Sequence, residues 1–464
     1  MKNIPLLFLI TATLLSTYPT HAETLDFEVM TKSARTTLGA LIEANTTNPP
    51  GNEKRAVEIV ASRLKAADIP YEITEFAPAR ENIVARLKGT GSEKPVMLLA
   101  HLDVVGAEGQ KWTVDPHQLT ERDGYLYGRG TTDMLGMGAV NLEVFIALKR
   151  MGIKLRRDVI LAMVGDEESG GKGVQYLLKH APQSINAGFV LNEGGAPILD
   201  ENGKVRFVTI QGAEKTYQDF ELTTTGKTGH SSVPYSNNAI YRMARALDHL
   251  GNFKFPAKLL PVTRAYFASR AEVENPRIAT AMKALATSKG PLPRAAVEVI
   301  DSEPLMAPHL RTTCVATLLS AGTRVNALPA EAKATINCRV LPNESLDQVR
   351  KTLLSVIDDP AVELKTLADF DHADASPVTG ADIETLKKVI HQTWPGAPII
   401  PYMMFGATDS RFLRQAGIPS YGLLPLPRTD DDGRRAHGID ERIRTKSLRE
   451  GVEFFYRMMI ELAA

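Results

Sequence analysis

Three short apolar runs, each cut off by acidic or histidine residues, constrain this chain more than any other feature. Val96-Met97-Leu98-Leu99-Ala100, Val159-Ile160-Leu161-Ala162-Met163-Val164 and Gly188-Phe189-Val190-Leu191 carry no polar side chain. A strand of that kind has no face for water and belongs inside a sheet covered on both sides. Leu135–Arg150, between the first two runs, has helical spacing, and Val174–His180 is a shorter helix before the third. The alternation predicts an α/β fold: a mostly parallel sheet with helices on both faces. Helical spacing over 27–45, 53–67, Ile383–Thr393 and Ser447–Leu462 supplies further covering elements.

The character changes near residue 212. Phe220–Thr225 alternates like a half-exposed strand, as do Thr313–Ser320 and Glu331–Val340, while Asn238–Leu250 and Leu346–Ile357 read as helices. We expect an inserted α+β domain over 212–373, flanked by the two parts of the first domain at 23–211 and 374–464. Lys254–Pro308 is its least regular stretch and reads as an elaboration. Cys314 and Cys338 would face each other in a hairpin centred near Asn326. Register is not fixed by sequence, so two buried thiols are the expectation and a bridge the alternative.

Composition narrows the chemistry. The 464 residues balance 54 Lys+Arg against 54 Asp+Glu, which argues against a nucleic-acid partner. Only two cysteines are present, too few for a thiolate metal module, so any metal must be held by His, Asp and Glu. At the N-terminus, Lys2, the apolar stretch Ile4–Leu15 and Thr20-His21-Ala22 read as an export signal cleaved after Ala22. The stretch is too short to span a bilayer. An exported, periplasmic protein with no membrane association after cleavage is expected.

Ligand crevices of open α/β sheets lie beyond the C-terminal strand ends, and four clusters fall there. His101-Leu102-Asp103 follows the first apolar run, with a carboxylate spaced to orient the imidazole. Gly128-Arg129-Gly130-Thr131-Thr132-Asp133 precedes the helix, where Asp133 is either a helix cap or a ligand. Gly165-Asp166-Glu167-Glu168 follows the second run, and its adjacent carboxylates repel unless a cation or proton is shared. Asn192-Glu193 follows the third. Far downstream, Asp430-Asp431-Asp432 reads as a solvated loop and His437 follows it. Two His and three carboxylates suffice for two metal ions with one bridging carboxylate, and this donor set suits Zn²⁺, with Co²⁺ or Mn²⁺ as alternatives.

The ordered set HxD, GRGxxD, GDEESGG, NEGG, GHSSVP and a late AHG resembles the aminoacylase, glutamate carboxypeptidase and carboxypeptidase S family of co-catalytic zinc exopeptidases. The likeness runs from about residue 36 to the C-terminus. Trp112 and Tyr125–Gly130 lean toward the carboxypeptidase S and N-acyl-amino-acid hydrolase branch. The resemblance implies that His101, Asp133 and Glu193 bind one zinc and Asp133, Glu168 and His437 the other. It makes Glu167 the general base, Asp103 the partner of His101, and His230 a lid histidine that stabilises the oxyanion. Asn326 and Arg339 resemble substrate-facing lid positions, and Gly406–Arg411 a turn walling the substrate. Gly106, His117 and Leu135 depart from the common pattern without touching a ligand position.

By the same resemblance, the expected reaction is hydrolysis of the amide next to an amino acid with a free carboxylate, by a water shared between two metals. The substrate would be a small peptide or an N-acyl amino acid, and the inserted domain could support a homodimer. An aminopeptidase, a desuccinylase-like deacylase and a non-catalytic binding protein are the competing readings.

Overall fold

The computed structural model describes residues 25–367 and 373–464, so the expected export signal lies outside the described residues. A nine-stranded sheet forms the larger body. In order across the sheet, the main path runs Tyr71–Ala77, Arg80–Leu87, Val159–Val164, Val96–His101, Phe189–Asn192, Ser420–Gly422, Val205–Glu214 and Ile399–Met404. Pro197–Leu199 pairs with Val205–Glu214 off that path. The central pairings are parallel: Val96–His101 with both Val159–Val164 and Phe189–Asn192, and the latter with Ser420–Gly422. The hairpin Tyr71–Leu87 extends one side antiparallel.

Alternation along the buried strands explains the layering. Val96, Leu98 and Ala100 pack into one apolar cluster with the helices Phe27–Glu43, Leu135–Arg150 and Thr445–Ala463, while Met97 and Leu99 pack into another beneath Lys172–His180. The Leu135–Arg150 helix is buried from Leu135 to Leu148, which is why its sequence is apolar nearly all round. Gly136 lets this helix press on the preceding loop, since a Cβ there would lie 2.2 Å from the Thr131 carbonyl oxygen. That contact fixes the loop carrying Asp133.

A second, antiparallel sheet runs Thr313–Ala321, Glu331–Val340, Thr216–Thr225, Val362–Thr366. Ala239–Asn252 and Leu346–Ile357 cover one face through Phe220, Leu222, Met243, Ile336 and Leu353. Two expectations are corrected here. Cys314 and Cys338 are directly opposed and form a disulfide, with Cα atoms 4.1 Å apart. The pairing that places them together holds until a bulge between Ala316 and Leu318. The stretch 254–308 is regular, holding helices Pro261–Arg270, Pro276–Thr287 and Arg294–Asp301. Pro261 and Pro276 open two of these helices and Pro293 caps the third, positions where a missing N–H costs nothing. Tyr266, Phe267, Met282 and Ile300 join the apolar cluster of the large sheet, not that of the second sheet.

Candidate metal centre

Five predicted residues converge at the C-terminal ends of the central parallel strands. His101 ends its strand, Glu193 follows Phe189–Asn192, and Glu167 and Glu168 sit in a short turn of 3₁₀ helix after Val159–Val164. Asp133 lies just before the Leu135–Arg150 helix. It is not the helix cap, a position held by Met134 without a side-chain bond. Instead, each Asp133 oxygen meets a different histidine: Oδ1 is 3.1 Å from His101 Nε2, and Oδ2 is 3.2 Å from His437 Nε2. Glu193 Oε1 lies 3.8 Å from His101 Nε2, and Glu168 Oε2 lies 3.1 Å from His437 Nε2.

The result is two groups of three, His101–Asp133–Glu193 and Asp133–Glu168–His437, each with one ligand atom per residue within 4.8 Å of the others. Glu167 also lies within such reach of His101 and Glu168. The donor set fits divalent cations. It is nitrogen and carboxylate oxygen without thiolate, it centres on a carboxylate shared by two groups, and Glu168 Oε1 is buried with no hydrogen-bond partner.

Burial and crowding of like charge shape the electrostatics of the cluster. Burial pushes Glu193 and Glu167 well above the usual carboxylate range, and neighbouring acids add to it: Asp133 and Glu167 for Glu193, Asp409 and Glu168 for Glu167. Burial likewise raises Glu168. Hydrogen bonds to Asp133 and Glu168 lift His437 to about 10. Burial opposes the charge on His101, but the bond to Asp133 and the charges of Glu193 and Glu167 outweigh it and hold His101 well above its usual value. Asp133, between two imidazoles, is lowered.

The link between His101 and Asp103 differs from the expected one. His101 Nδ1 lies 2.8 Å from the main-chain oxygen of Asp103 and 3.8 Å from its carboxylate Oδ1. The carboxylate is drawn to stronger donors. It accepts from the Glu167 and Glu168 amides, both at 3.1 Å, and from Asn48 Nδ2 at 2.7 Å. Asp103 thus orients the imidazole by its backbone and the acidic turn by its side chain.

Several supporting residues were not singled out from the sequence. Glu441, fully buried, accepts from the amides of Thr132 and Asp133 at 2.8 and 3.0 Å and pairs with Arg129 Nη1 at 2.8 Å. Arg129 also donates to Gln110 Oε1, and Gln110 Nε2 donates to the His437 carbonyl. On the other side, Arg80 bonds Glu53 twice and Asp166 once, while Glu53 accepts from the Asp166 amide. These pairs hold the loops and lie outside the candidate ligand groups. No periodicity marks them, because each is one charge whose partner lies far away in sequence.

The second sheet places its predicted residues differently. His230 lies on Gly229–His230, which pairs with Ala327–Leu328 in a separate two-stranded sheet, and Asn326 immediately precedes the latter strand; the Ser231 amide donates to the Asn326 carbonyl at 3.1 Å. Both are exposed, and among the described residues neither bonds to the acidic cluster. Arg339 is half-buried, donates to the Phe405 carbonyl at 3.1 Å and lies over the Tyr217 ring. In the Gly406–Arg411 turn, Thr408 is held by Glu214, and Asp409 is buried with both oxygens unpartnered. Asp430–Arg434 is a short helix, not the expected loop, because Thr429 and Asp432 form a capping box and Arg442 pairs with the buried Asp432.

Comparison with known proteins gives the class. Residues 97–461 match the model of peptidase family M20/M25/M40, and the chain belongs to that family of metal-dependent hydrolases. It is 32% identical over 373 residues to the N-fatty-acyl-amino acid synthase/hydrolase PM20D1 of Xenopus tropicalis, covering 79% of this chain and 72% of the relative. A Dictyostelium discoideum protein named "Probable carboxypeptidase S-like 2" is 30% identical over 391 residues, covering 82% and 74%. The fold is similar to that of the M20 family metallo-carboxypeptidase Sso-CP2 from Sulfolobus solfataricus, with a TM-score of 0.69, 17% identity, and coverage of 92% and 98%.

Proposed function

We propose that this chain is an exported dizinc hydrolase that cleaves the amide next to an amino acid with a free carboxylate. Its substrates are C-terminal peptide bonds or N-acyl amino acids. The observation that carries the reading is Asp133, with one oxygen on each histidine and a carboxylate completing each group. His101, Asp133 and Glu193 hold one cation and Asp133, Glu168 and His437 the other. Bound there, divalent ions supply Lewis-acid polarisation and acidify water.

The chain's own groups do the rest. Glu167, set beside Glu168 by hydrogen bonds from both their amides to Asp103, takes a proton from the attacking water. Hydroxide adds to the carbonyl carbon, the C–N bond breaks, and Glu167 returns the proton to the leaving amine. His230 and Asn326 reach the substrate on closure of the inserted domain, where His230 stabilises the oxyanion. Arg339 faces the substrate from the same domain. The relatives' names, an N-fatty-acyl-amino acid synthase/hydrolase and a carboxypeptidase S-like protein, support an acid-ended substrate.

Residues 1–22 act as the signal that exports the chain to the periplasm. The inserted domain supports a homodimer through its edge strand Thr313–Ala321, where Val315, Leu318 and Leu319 are exposed. Zinc-loaded protein assayed in parallel on dipeptides and N-acyl amino acids tests the activity. Release of free amino acid from either panel is expected, and cleavage confined to aminoacyl anilides would overturn the reading.

A further inference from the structure

Lys215 is the single residue between Val205–Glu214 of the large sheet and Thr216–Thr225 of the second sheet. Other segments cross between the two bodies beside it. The helical stretch leaves Ala239–Asn252, packs Pro261–Arg270 on the edge strand Ile399–Met404, and returns to the second sheet at Thr313. Hydrogen bonds lace the crossings together. The Lys258 amide donates to the Leu310 carbonyl, the Ser376 amide to the Gly212 carbonyl and Lys215 Nζ to the Arg311 carbonyl, all at 2.7 Å. Ala213 and Met403 of the large sheet pack there with Leu260, Val262 and Leu341 in a small apolar cluster of their own. The result is a joint, with a cation inside it.

Among the described residues Lys215 is the only buried lysine, 1% exposed. Its ammonium has three donors, yet it makes one hydrogen bond and otherwise meets the Phe405 ring at 5.5 Å. Among the described residues no carboxylate lies within 4 Å of it. The neighbouring groups supply no free counter-ion. Arg311 and Arg339 add like charge, and Glu344, which offsets them in part, is bonded to Lys258 and Thr312. Asp301 is paired with Arg311, Glu214 with Arg414, and Glu274 with Arg270. His309, stacked on Tyr266 with centroids 4.0 Å apart, is lowered by burial to about 3 and stays neutral. Tyr266 and Tyr402 are raised by burial and stay neutral too.

A buried ammonium without a carboxylate is costly, and burial pushes Lys215 down to about 7. In water a lysine keeps its proton to about 10. Any opening that wets this ammonium therefore takes up protons, so acid favours the opened joint and loss of the proton favours the packed one.

We infer that Lys215 is a proton-operated spring in the joint between the two sheets: protonated, it favours loosening of the joint, and neutral, it favours the packed arrangement. The crevice between the bodies would thereby open more readily in acid.

The test is hydrogen exchange of the zinc-loaded protein at pH 6 and 8.5, read as protection factors, which remove the intrinsic pH dependence of exchange. Wild type is compared with Lys215→Met, Lys215→Arg and His309→Gln. In wild type the Lys258 and Ser376 amides, bonded across the joint, should be about 10-fold or more less protected at pH 6 than at pH 8.5, while the amides of Val159–Val164 should not change. Lys215→Met should be protected equally at both pH values, and it serves if the arginine variant does not fold. Lys215→Arg keeps its charge throughout and should be weakly protected at both. Equal protection of wild type at the two pH values would overturn the inference. So would a pH dependence that persists in Lys215→Met or vanishes in His309→Gln. Amide exchange reads the joint without turnover, so its outcome does not depend on the proposed reaction.

Discussion

Glu441 offers the sharpest test of how the Asp133 loop is held. It is fully buried, as is Arg129, with side-chain exposures of 0% and 1%. Glu441→Gln preserves shape and an acceptor for the Thr132 and Asp133 amides but removes the charge facing Arg129. Breaking one side of a buried pair leaves an uncompensated ion and costs roughly 3–5 kcal/mol. Arg129 keeps its bond to Gln110 and its contact with the Trp112 ring, so the lower end, about 3 kcal/mol, is expected. The amides of Thr132 and Asp133 keep an acceptor, but a neutral and weaker one, so zinc affinity should fall by about 10–100-fold, as for other supporting residues around metal sites. Urea unfolding and competitive chelator titration read the two effects. Arg129→Met/Glu441→Leu removes both charges and should recover more than half of the lost stability while leaving zinc affinity weakened. A loss below about 1 kcal/mol in Glu441→Gln would refute the claim that this pair anchors the loop.

Other outcomes rest on the same geometry. Replacing Cys314 and Cys338 with serine opens a loop spanning a sequence separation of 24 and should cost about 3 kcal/mol in chemical denaturation; an unchanged midpoint would count against the bridge as a staple of the second sheet. In chelator, stability should fall as pH rises from about 4 to 7. Glu193, Glu167, Glu168 and Asp409 have folded values raised mainly by burial, Asp409 to about 7, so their protonated forms favour the fold and that stability is lost on ionisation. Asp409 alone accounts for roughly 4 kcal/mol across this window. His101 and His437 are raised as well, so their contribution is present below about 6.5 and is lost as pH rises through their folded values. Asp133, lowered, acts oppositely and loses its contribution only below its ordinary value. A urea midpoint in chelator that climbs from pH 4.5 to 7.5 would contradict these signs, whereas added Zn²⁺ should reverse the decline by displacing the protons.

The parts legible in sequence are those dictated by burial and local spacing. Val96–His101 and Val159–Val164 are covered on both faces, so their composition alone identifies them. The clusters after them could be placed because parallel strands end on one side of a sheet. Less legible were contacts made by single residues across the fold. The Asp103 carboxylate had the spacing to reach His101, yet two amides and Asn48 compete better for it. Glu441 and Arg80 gave no local sign. Proline density hid three helices over 261–301, since a proline at a helix start looks in sequence like one that ends it. The cysteine pairing was reachable by arithmetic about Asn326 but depended on a bulge that no residue pattern marks.

The central claim is a two-cation centre served by Glu167. Its most direct test is turnover of an N-acyl amino acid or dipeptide by metal-stripped protein titrated with Zn²⁺, for wild type and Glu167→Gln. Wild-type activity should rise until two equivalents per chain are bound, while Glu167→Gln takes up the same two ions and turns over about 10²–10⁴-fold more slowly. Saturation at one equivalent, or near-normal turnover in Glu167→Gln, would contradict it.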